Sequence, residues 1–216
     1  MEVHDRALAF ELALLAIDRV GARETLIAAT SGAAAGDALK VAEGVVTEAL
    51  EHIGDEWEHG AVSLAQLYMA GRIAEQIVGE VLPPSRHDDD RRPRVAIAVL
   101  EDHHALGKRL VLSALRASGH AVADYGHGVS VQQLVQRSHE DKLRVLLVST
   151  LMLPAALRVR ELVKGLRLPG SPPAVIVGGA PFRLDPGLWQ EVGADATGSN
   201  SAEAIELVDR FTGGAR

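Results

Sequence analysis

Residues 94–216 alternate short apolar runs with segments of helical periodicity, and this alternation limits the folds open to the chain. The runs are apolar on both sides, as expected of parallel strands buried between two layers of helices. Five such strands predict a doubly wound, Rossmann-like parallel sheet with right-handed crossovers. The predicted strands are 94–100, 120–125, 144–150, 174–178 and 194–198, and the predicted helices are 106–118, 129–139, 155–167, 186–192 and 202–211.

The residues before the sheet carry helical periodicity only. We predict helices over 4–20 and 23–29, then a third helix capped by Asp37 and a fourth capped by Ser63. Short connections between them predict an N-terminal four-helix bundle. The expected inward stripes are Leu8, Leu12 and Leu15 in the first helix, Val41, Val45, Ala49, Ile53 and Trp57 in the third, and Leu64, Leu67, Tyr68, Gly71, Ala74, Val78 and Val81 in the fourth.

Residues 84–93 break both patterns, because prolines and charged residues follow one another there without apolar periodicity. Such a segment is typical of a linker between domains. We therefore predict a helical domain over 1–83 and an α/β domain over 94–216.

The composition excludes several classes of function. The chain has no cysteine, which excludes disulfides, thiolate metal sites, iron–sulfur clusters and a catalytic thiol. The net charge is −7 and aromatic residues make up 3%, so we expect no direct nucleic-acid partner. No long apolar segment is free of charge, so we expect no membrane association and a cytoplasmic location.

Polar residues follow the first predicted strand. Asp102 and His104 come directly after it, and Gly107 lies where the next helix begins. Ligands of open parallel sheets bind at the carboxyl ends of the strands. A neutral imidazole is a good transition-metal ligand, and a carboxylate behind it fixes the tautomer and raises its basicity. Asp102 would also suit the cap of the following helix.

The spacing Asp102-x-His104-x-x-Gly107 resembles the signature of the cobalamin (B12)-binding methyltransferases and mutases. This resemblance implies that His104 is the lower axial ligand of cobalt and that Asp102 bonds to its other ring nitrogen. It also implies that Gly107 gives the nucleotide tail of the cofactor room to pass close to the backbone.

Two later motifs match the same family at the ends of two further predicted strands. They are Ser149-x-Leu151 and Gly178-Gly179. The resemblance assigns them to the binding of the nucleotide tail, and it implies a flavodoxin-like strand order and a helical cap domain. Each motif also has a local interpretation, with Ser149 as a backbone cap and the glycines as a turn.

Five other residues are weaker candidates for contacts with the cofactor. Tyr125, Gly126 and His127 follow the second strand. They either contact the corrin or its tail or form an ordinary loop. Trp57 and Tyr68 fit the core of the helical bundle. The resemblance instead implies that this region faces the upper side of the corrin, where either residue would shield the reactive ligand.

A zinc site is the metal-only alternative to a corrinoid. Its ligands would be His103, His104, His120, His127 and Asp102. No H-x-H or H-E-x-x-H spacing favours it, so we prefer the corrinoid.

The chain departs from the family at four positions. Glu101 stands where a small Gly is common, Ala105 where methyltransferase proteins have a second Asp, and Arg109 where they have Asn. Ala155 replaces a Ser that extends the His–Asp proton relay in methionine-synthase-like proteins. We therefore expect the relay to end at Asp102.

The resemblance implies a corrinoid shuttle protein. Cobalamin, as methylcobalamin or hydroxocobalamin, would bind base-off with His104 below the cobalt. It would carry a methyl group between partner methyltransferases of the TIM-barrel type. No residue is equipped to activate a methyl donor, so we expect a carrier without catalytic residues of its own.

A cobalamin-dependent sensor is the alternative function. It would bind a regulatory protein and transfer no methyl group, and Glu101, Ala105 and Ala155 would fit its relaxed catalytic demands. A scaffold that binds no corrinoid is a third interpretation. The sequence is compatible with a homodimer and does not fix the oligomeric state.

Overall fold

The structure is a computed structural model that describes residues 3–82, 94–167 and 172–213. The chain divides into two compact units, Met1–Pro84 and Ser85–Arg216. The predicted linker, 84–93, lies outside the described residues. Throughout the described ranges, no helix combines the length and the apolar character needed to cross a lipid bilayer.

Four helices that pack against one another form the first unit, which confirms the predicted helical domain. They are α1 (Val3–Leu15), α2 (Arg19–Thr30), α3 (Ala35–Glu58) and α4 (Leu64–Val81). Ser63 caps α4 as predicted, since its side chain accepts from the Gln66 backbone N–H and the Gln66 side chain accepts from the Ser63 backbone. This reciprocal pair is a capping box.

Two predictions of helix boundaries are wrong, one for the first helix and one for the third. The single helix over 4–20 is interrupted, because the backbone of Ile17 is left-handed with φ of 58°. Asp18 then caps α2 by accepting a hydrogen bond from the backbone N–H of the next turn. Asp37 does not cap α3, which begins earlier, at Ala35, and holds Asp37 in its first turn.

The inward face of α1 also differs from the predicted stripe. Phe10 and Leu14 are buried, whereas Leu8 and Leu12 are 47% and 59% exposed. Apolar residues occur on most sides of this helix. Helical spacing alone therefore could not select the face that packs.

Two aromatic residues predicted in the bundle core lie on its surface instead. Trp57, in the last turn of α3, is 42% exposed, and Tyr68, early in α4, is 60% exposed. The buried face of α4 is made by smaller and branched residues, namely Ala70, Ile73, Ala74, Ile77 and Val78. The core prediction is wrong for both aromatic residues, and their contact with a corrin stays a prediction.

The second unit alternates strands and helices as predicted. The strands are β1 (Val95–Val99), β2 (Val122–Asp124), β3 (Val145–Ser149), β4 (Ala174–Gly178) and β5 (Ala196–Thr197). The helices are α5 (Leu106–Ala117), α6 (Val131–Glu140), α7 (Leu153–Leu166), α8 (Ala180–Leu184), α9 (Leu188–Glu191) and α10 (Ser201–Thr212). The short helix α8, directly after β4, was not predicted.

The sheet is parallel throughout, with strand order β2-β1-β3-β4-β5. This is the flavodoxin-like order that the resemblance implied. Helices α5 and α10 pack on one face, over Ile97, Leu147 and Ile176, and α6 to α9 pack on the other. The register places Ser149 between Val99 and Gly178 at the carboxyl ends of three adjacent strands.

Candidate functional site

Asp102 is the centre of the site at the carboxyl edge of the sheet. Its side chain is 2% exposed, and Oδ1 lies 2.6 Å from His104 Nδ1. Oδ1 also accepts from the His104 backbone N–H, while Oδ2 accepts from the backbone N–H groups of Leu151 and Met152 at 2.9 and 3.0 Å. Asp102 does not cap α5, whose N-cap position is Ala105. The carboxylate instead joins the loop after β1 to the loop after β3.

These hydrogen bonds decide the charge of Asp102. Burial by itself raises its pKa, but the hydrogen bonds from the His104 side chain and from three backbone N–H groups outweigh burial and lower the pKa to about 2. An ionised carboxylate only accepts hydrogen bonds, so the His104 proton lies on Nδ1. In the neutral form of this tautomer the other ring nitrogen, Nε2, carries the lone pair, and the side chain is 48% exposed.

A row of small residues lies beside this pair. Ser149 and Gly178 are neighbours in register, and by strand alternation they face α5 and α10. A Cβ on Gly107 would lie 3.9 Å from Ser149 Oγ, and a Cβ on Gly178 would lie 3.0 Å from the Gly198 carbonyl oxygen. None of these positions carries a large side chain, and we call the group formed by Gly107, Ser149, Gly178 and Gly198 the small-residue slot.

Gly179 has a structural requirement of its own. Its φ is +116°, and a Cβ there would lie 1.8 Å from the Thr150 carbonyl oxygen. Only glycine permits this close approach of two backbone segments. The residue type at this position is therefore explained without a ligand, and contact of Gly179 with a nucleotide tail stays a prediction.

Two residues of the edge were not predicted. Thr150 is 1% exposed, and among the described residues its Oγ1 has no hydrogen-bond partner. Gly198 completes the small-residue slot. The signal for Gly198 was present in the sequence, because it ends the last predicted strand at the same edge as Gly178. Nothing in the sequence distinguishes Thr150 from an ordinary strand residue.

Tyr125 does not join this group of residues. Its ring lies in the core on the α6 side of the sheet, its hydroxyl donates to Asp141, and the Arg137 guanidinium lies 3.7 Å from its centroid. Burial and the Asp141 carboxylate raise the pKa of the Tyr125 hydroxyl. Gly126 reaches the edge through its backbone, where its carbonyl accepts from the Val99 N–H.

The geometry gives no support to a zinc site at this edge. His103 and His127 pair with each other there, with their Nδ1 atoms 3.4 Å apart. Among the described residues, one group of three side chains is placed to share a metal, and it lies in the helical unit. Its members are Glu11, His52 and Glu56.

Comparisons with known proteins identify the family of the chain. Residues 9–81 and residues 94–206 each match a family model described as a B12 binding domain. The chain is 28% identical over 179 residues to trimethylamine corrinoid protein 2 of Methanosarcina acetivorans, a match that covers 80% of this chain and 81% of the relative. It is 32% identical over 165 residues to monomethylamine corrinoid protein 2 of Methanosarcina barkeri, covering 72% and 74% of the two chains.

A solved structure shows the same architecture. The monomethylamine corrinoid protein of Methanosarcina barkeri matches with a TM-score of 0.76 and 25% identity, covering 92% of this chain and 94% of that one. Family models thus match both units, and the fold is similar to that of a solved corrinoid protein. The chain belongs to the family of cobalamin (B12)-binding corrinoid proteins.

Proposed function

We propose that the protein binds cobalamin and carries a methyl group on its cobalt between partner methyltransferases. One observation carries the proposal: at the carboxyl edge of a B12-binding fold, a buried carboxylate holds Nδ1 of His104 and leaves Nε2 for a metal. The relatives are named for trimethylamine and monomethylamine. We therefore propose methylated amines as the class of methyl donor.

The residues present fit a corrinoid. His104 offers one imidazole nitrogen with a lone pair, which suits a single axial position on cobalt. The small-residue slot suits the narrow nucleotide tail, and Thr150 Oγ1 has unused hydrogen-bonding capacity at the same edge. We accordingly propose that the cofactor binds base-off, with the tail in the slot and His104 below the metal, in either its methyl or its hydroxo form.

The protein's own residues position and tune the ligand. When bound, the corrinoid supplies the cobalt chemistry that accepts and releases a methyl group. Asp102 keeps the proton on Nδ1 and raises the basicity of Nε2. Ala155 has no hydroxyl to pass a proton onward, so we propose that the proton of the pair stays between His104 and Asp102.

Exposed apolar residues beside Asp102 would exclude water from the lower side of the macrocycle. Leu151, Met152 and Leu153 are 43%, 53% and 54% exposed, and two of them donate their backbone N–H groups to Asp102. Their apolar surface is continuous with the loop that holds the carboxylate. A flat corrin ring over His104 would bury part of this surface.

Activation of the methyl donor must come from another protein in this proposal. In the proposed site His104 ligates the cobalt and Asp102 holds its Nδ1, so neither side chain is left to activate a donor. We propose TIM-barrel methyltransferases as the partners that present donor and acceptor. A homodimer stays a prediction.

Transfer of labelled methyl groups tests the carrier function. The protein, loaded with cobalamin and reduced, is mixed with a methylamine methyltransferase of a relative and with methyl-labelled monomethylamine or trimethylamine. We expect one labelled methyl group per bound corrinoid. Cobalamin-loaded protein that takes up no label, but binds a regulatory protein only when loaded, would contradict the carrier and favour the sensor.

A further inference from the structure

We infer that Glu101 and Arg158 form a clamp that positions the Asp102–His104 pair by tying α7 to the loop after β1. The clamp is the ion pair between these two side chains. The inference rests on the proposed function, because the positioned pair is the proposed cobalt ligand with its carboxylate.

Glu101 has a backbone conformation that residues with a Cβ disfavour. Its φ is +47°, in the left-handed region where glycine is preferred. In the described ranges, two other non-glycine residues have a positive φ, and both lie away from the edge. A strained residue next to a candidate ligand site points to a role for the side chain that occupies it.

The carboxylate of Glu101 accepts two hydrogen bonds from the Arg158 guanidinium. Arg158 Nε donates to Oε2 at 3.0 Å, and Nη2 donates to Oε1 at 3.3 Å. Two parallel hydrogen bonds fix direction as well as distance. The backbone N–H of Val131, at the start of α6, lies 3.5 Å from Oε1. Glu101 therefore connects the loop after β1 to α6 and to α7.

The clamp closes a ring of contacts around Asp102. Asp102 follows Glu101 directly, and its Oδ2 holds the backbone N–H groups of Leu151 and Met152 just before α7. Helix α7 is thus attached to the loop after β1 at its leading end and again at Arg158. One attachment would let a rigid helix tilt, whereas two fix its direction. The orientation of the Asp102 carboxylate toward His104 Nδ1 therefore depends on the clamp.

The clamp should act by a modest amount. The Glu101 and Arg158 side chains are 30% and 38% exposed, so solvent screens their attraction. We expect its loss to lower the ratio of His104-ligated to His104-free cobalt by roughly two- to fivefold, because exposed ion pairs contribute little free energy. Cobalamin binding itself should remain.

Glu101→Gln and Arg158→Gln test the clamp, with Glu161→Gln as the matched control. Glu161 also pairs with Arg158, through Nη1 at 2.6 Å, but it lies on α7 itself. Two quantities are measured: the nitrogen hyperfine splitting of bound cobalt(II) cobalamin, which reports ligation by His104, and hydrogen exchange of the Leu151 and Met152 amides in the apoprotein. Both clamp variants should lose ligation and exchange these amides faster, while Glu161→Gln should behave as wild type.

Glu101→Gly separates positioning from stability. Glycine removes the carboxylate together with the backbone strain, so the unfolding midpoint should stay near wild type while ligation falls as in Glu101→Gln. If the clamp variants show the same ligation ratio and the same amide exchange as Glu161→Gln, the inference is overturned, even if these variants unfold more easily. Wild-type protein that binds no cobalamin overturns the proposed function, and with it the role of the clamp toward cobalt, whatever the amides show.

Discussion

The two units each contain a histidine paired with a buried carboxylate, and the two pairs look alike. In the helical unit His52 Nδ1 lies 2.8 Å from Glu11 Oε2, and in the α/β unit His104 Nδ1 lies 2.6 Å from Asp102 Oδ1. The carboxylate side chains are 6% and 2% exposed, and the imidazoles are 56% and 48% exposed. The pair alone therefore does not mark a ligand site.

The backbone around the carboxylates makes the difference. Asp102 accepts three backbone N–H groups besides its contact with the imidazole. Glu11 lies inside α1, where the backbone N–H groups are used by the helix itself, and within the described residues its hydrogen bonding is confined to His52. In loops at a sheet edge, some backbone N–H groups are not used by helices or strands and can donate to a side chain. A loop can therefore fix a carboxylate, and with it the direction of an imidazole, in a way that a helix cannot.

The largest expected effect concerns the small-residue slot of the α/β unit. Gly107→Trp places a ring against Ser149, and forced packing of this kind typically costs about 1–3 kcal/mol. We expect cobalamin affinity to fall roughly ten- to hundredfold, since 1.4 kcal/mol is about tenfold in affinity. A spectroscopic titration measures it. Gly54→Trp, at an open position of α3, is the control, and equal affinity in both variants would place the tail elsewhere.

Removal of the carboxylates should affect the two units unequally. Asp102→Asn leaves backbone donors without a charged acceptor, so we expect the free energy of unfolding to fall by about 2 kcal/mol. Glu11→Gln should cost about 1 kcal/mol or less. Urea unfolding, followed by Trp189 in the α/β unit and Trp57 in the helical unit, measures both. Equal losses would mean that the backbone donors do not distinguish the pairs.

The same pair should make the α/β unit sensitive to acid. Because the pKa of Asp102 is lowered to about 2, its stabilisation is complete above the ordinary value near 3.8 and is lost as the pH falls toward 2. In Asp102→Asn this part of the pH dependence should disappear. Unfolding curves of the two proteins between these pH values check the prediction, and parallel curves would contradict it.

A smaller effect is expected at Tyr125, which we place outside the cofactor site. Tyr125→Phe removes the hydrogen bond to Asp141, and we expect a loss of about 1 kcal/mol in the free energy of unfolding. Cobalamin affinity and the spectrum of the bound cofactor should not change, because the hydroxyl faces α6. A weaker affinity of Tyr125→Phe for cobalamin would show that Tyr125 belongs to the cofactor site.

The smallest effect is a pH dependence of the helical unit. The hydrogen bond that His52 donates to the Glu11 carboxylate, and then the negative charge of that carboxylate, raise the pKa of His52 above the ordinary 6.5. The stabilisation is therefore complete below this value and is lost as the pH rises through the folded-state pKa. In protein with Trp189→Phe, unfolding followed by Trp57 should show this loss. Adding His52→Gln should remove it, whereas a loss that persists would assign it to another group.

The sheet could be predicted from the sequence because its signals are local. Each strand lies inside its predicted range, and Asp102, His104, Gly107, Ser149 and Gly178 meet at one edge because parallel strands end together. The inward face of α1 could not be predicted. Leu8 and Phe10 are both apolar, and only the neighbouring helices decide which of them packs.

Long-range partners explain the remaining differences. Tyr125 has the same sequence neighbourhood whether it faces a ligand or α6. The Asp141 carboxylate, which accepts from the Tyr125 hydroxyl, lies further along the chain. Likewise, Arg158 is 57 residues from Glu101, and no periodicity connects them. Gly179 matched the family motif, yet the Thr150 carbonyl oxygen gives a purely structural reason for it.

The most direct test of cobalt ligation is an absorption titration of the apoprotein with hydroxocobalamin and with methylcobalamin. Wild type is compared with His104→Ala and with His52→Ala, which removes the other imidazole of the two similar pairs. We predict that all three bind the cofactor and that only His104→Ala changes the spectrum of the bound form. A His104→Ala spectrum identical to wild type would contradict ligation by His104, and a wild type that binds neither corrinoid would contradict the proposed function itself.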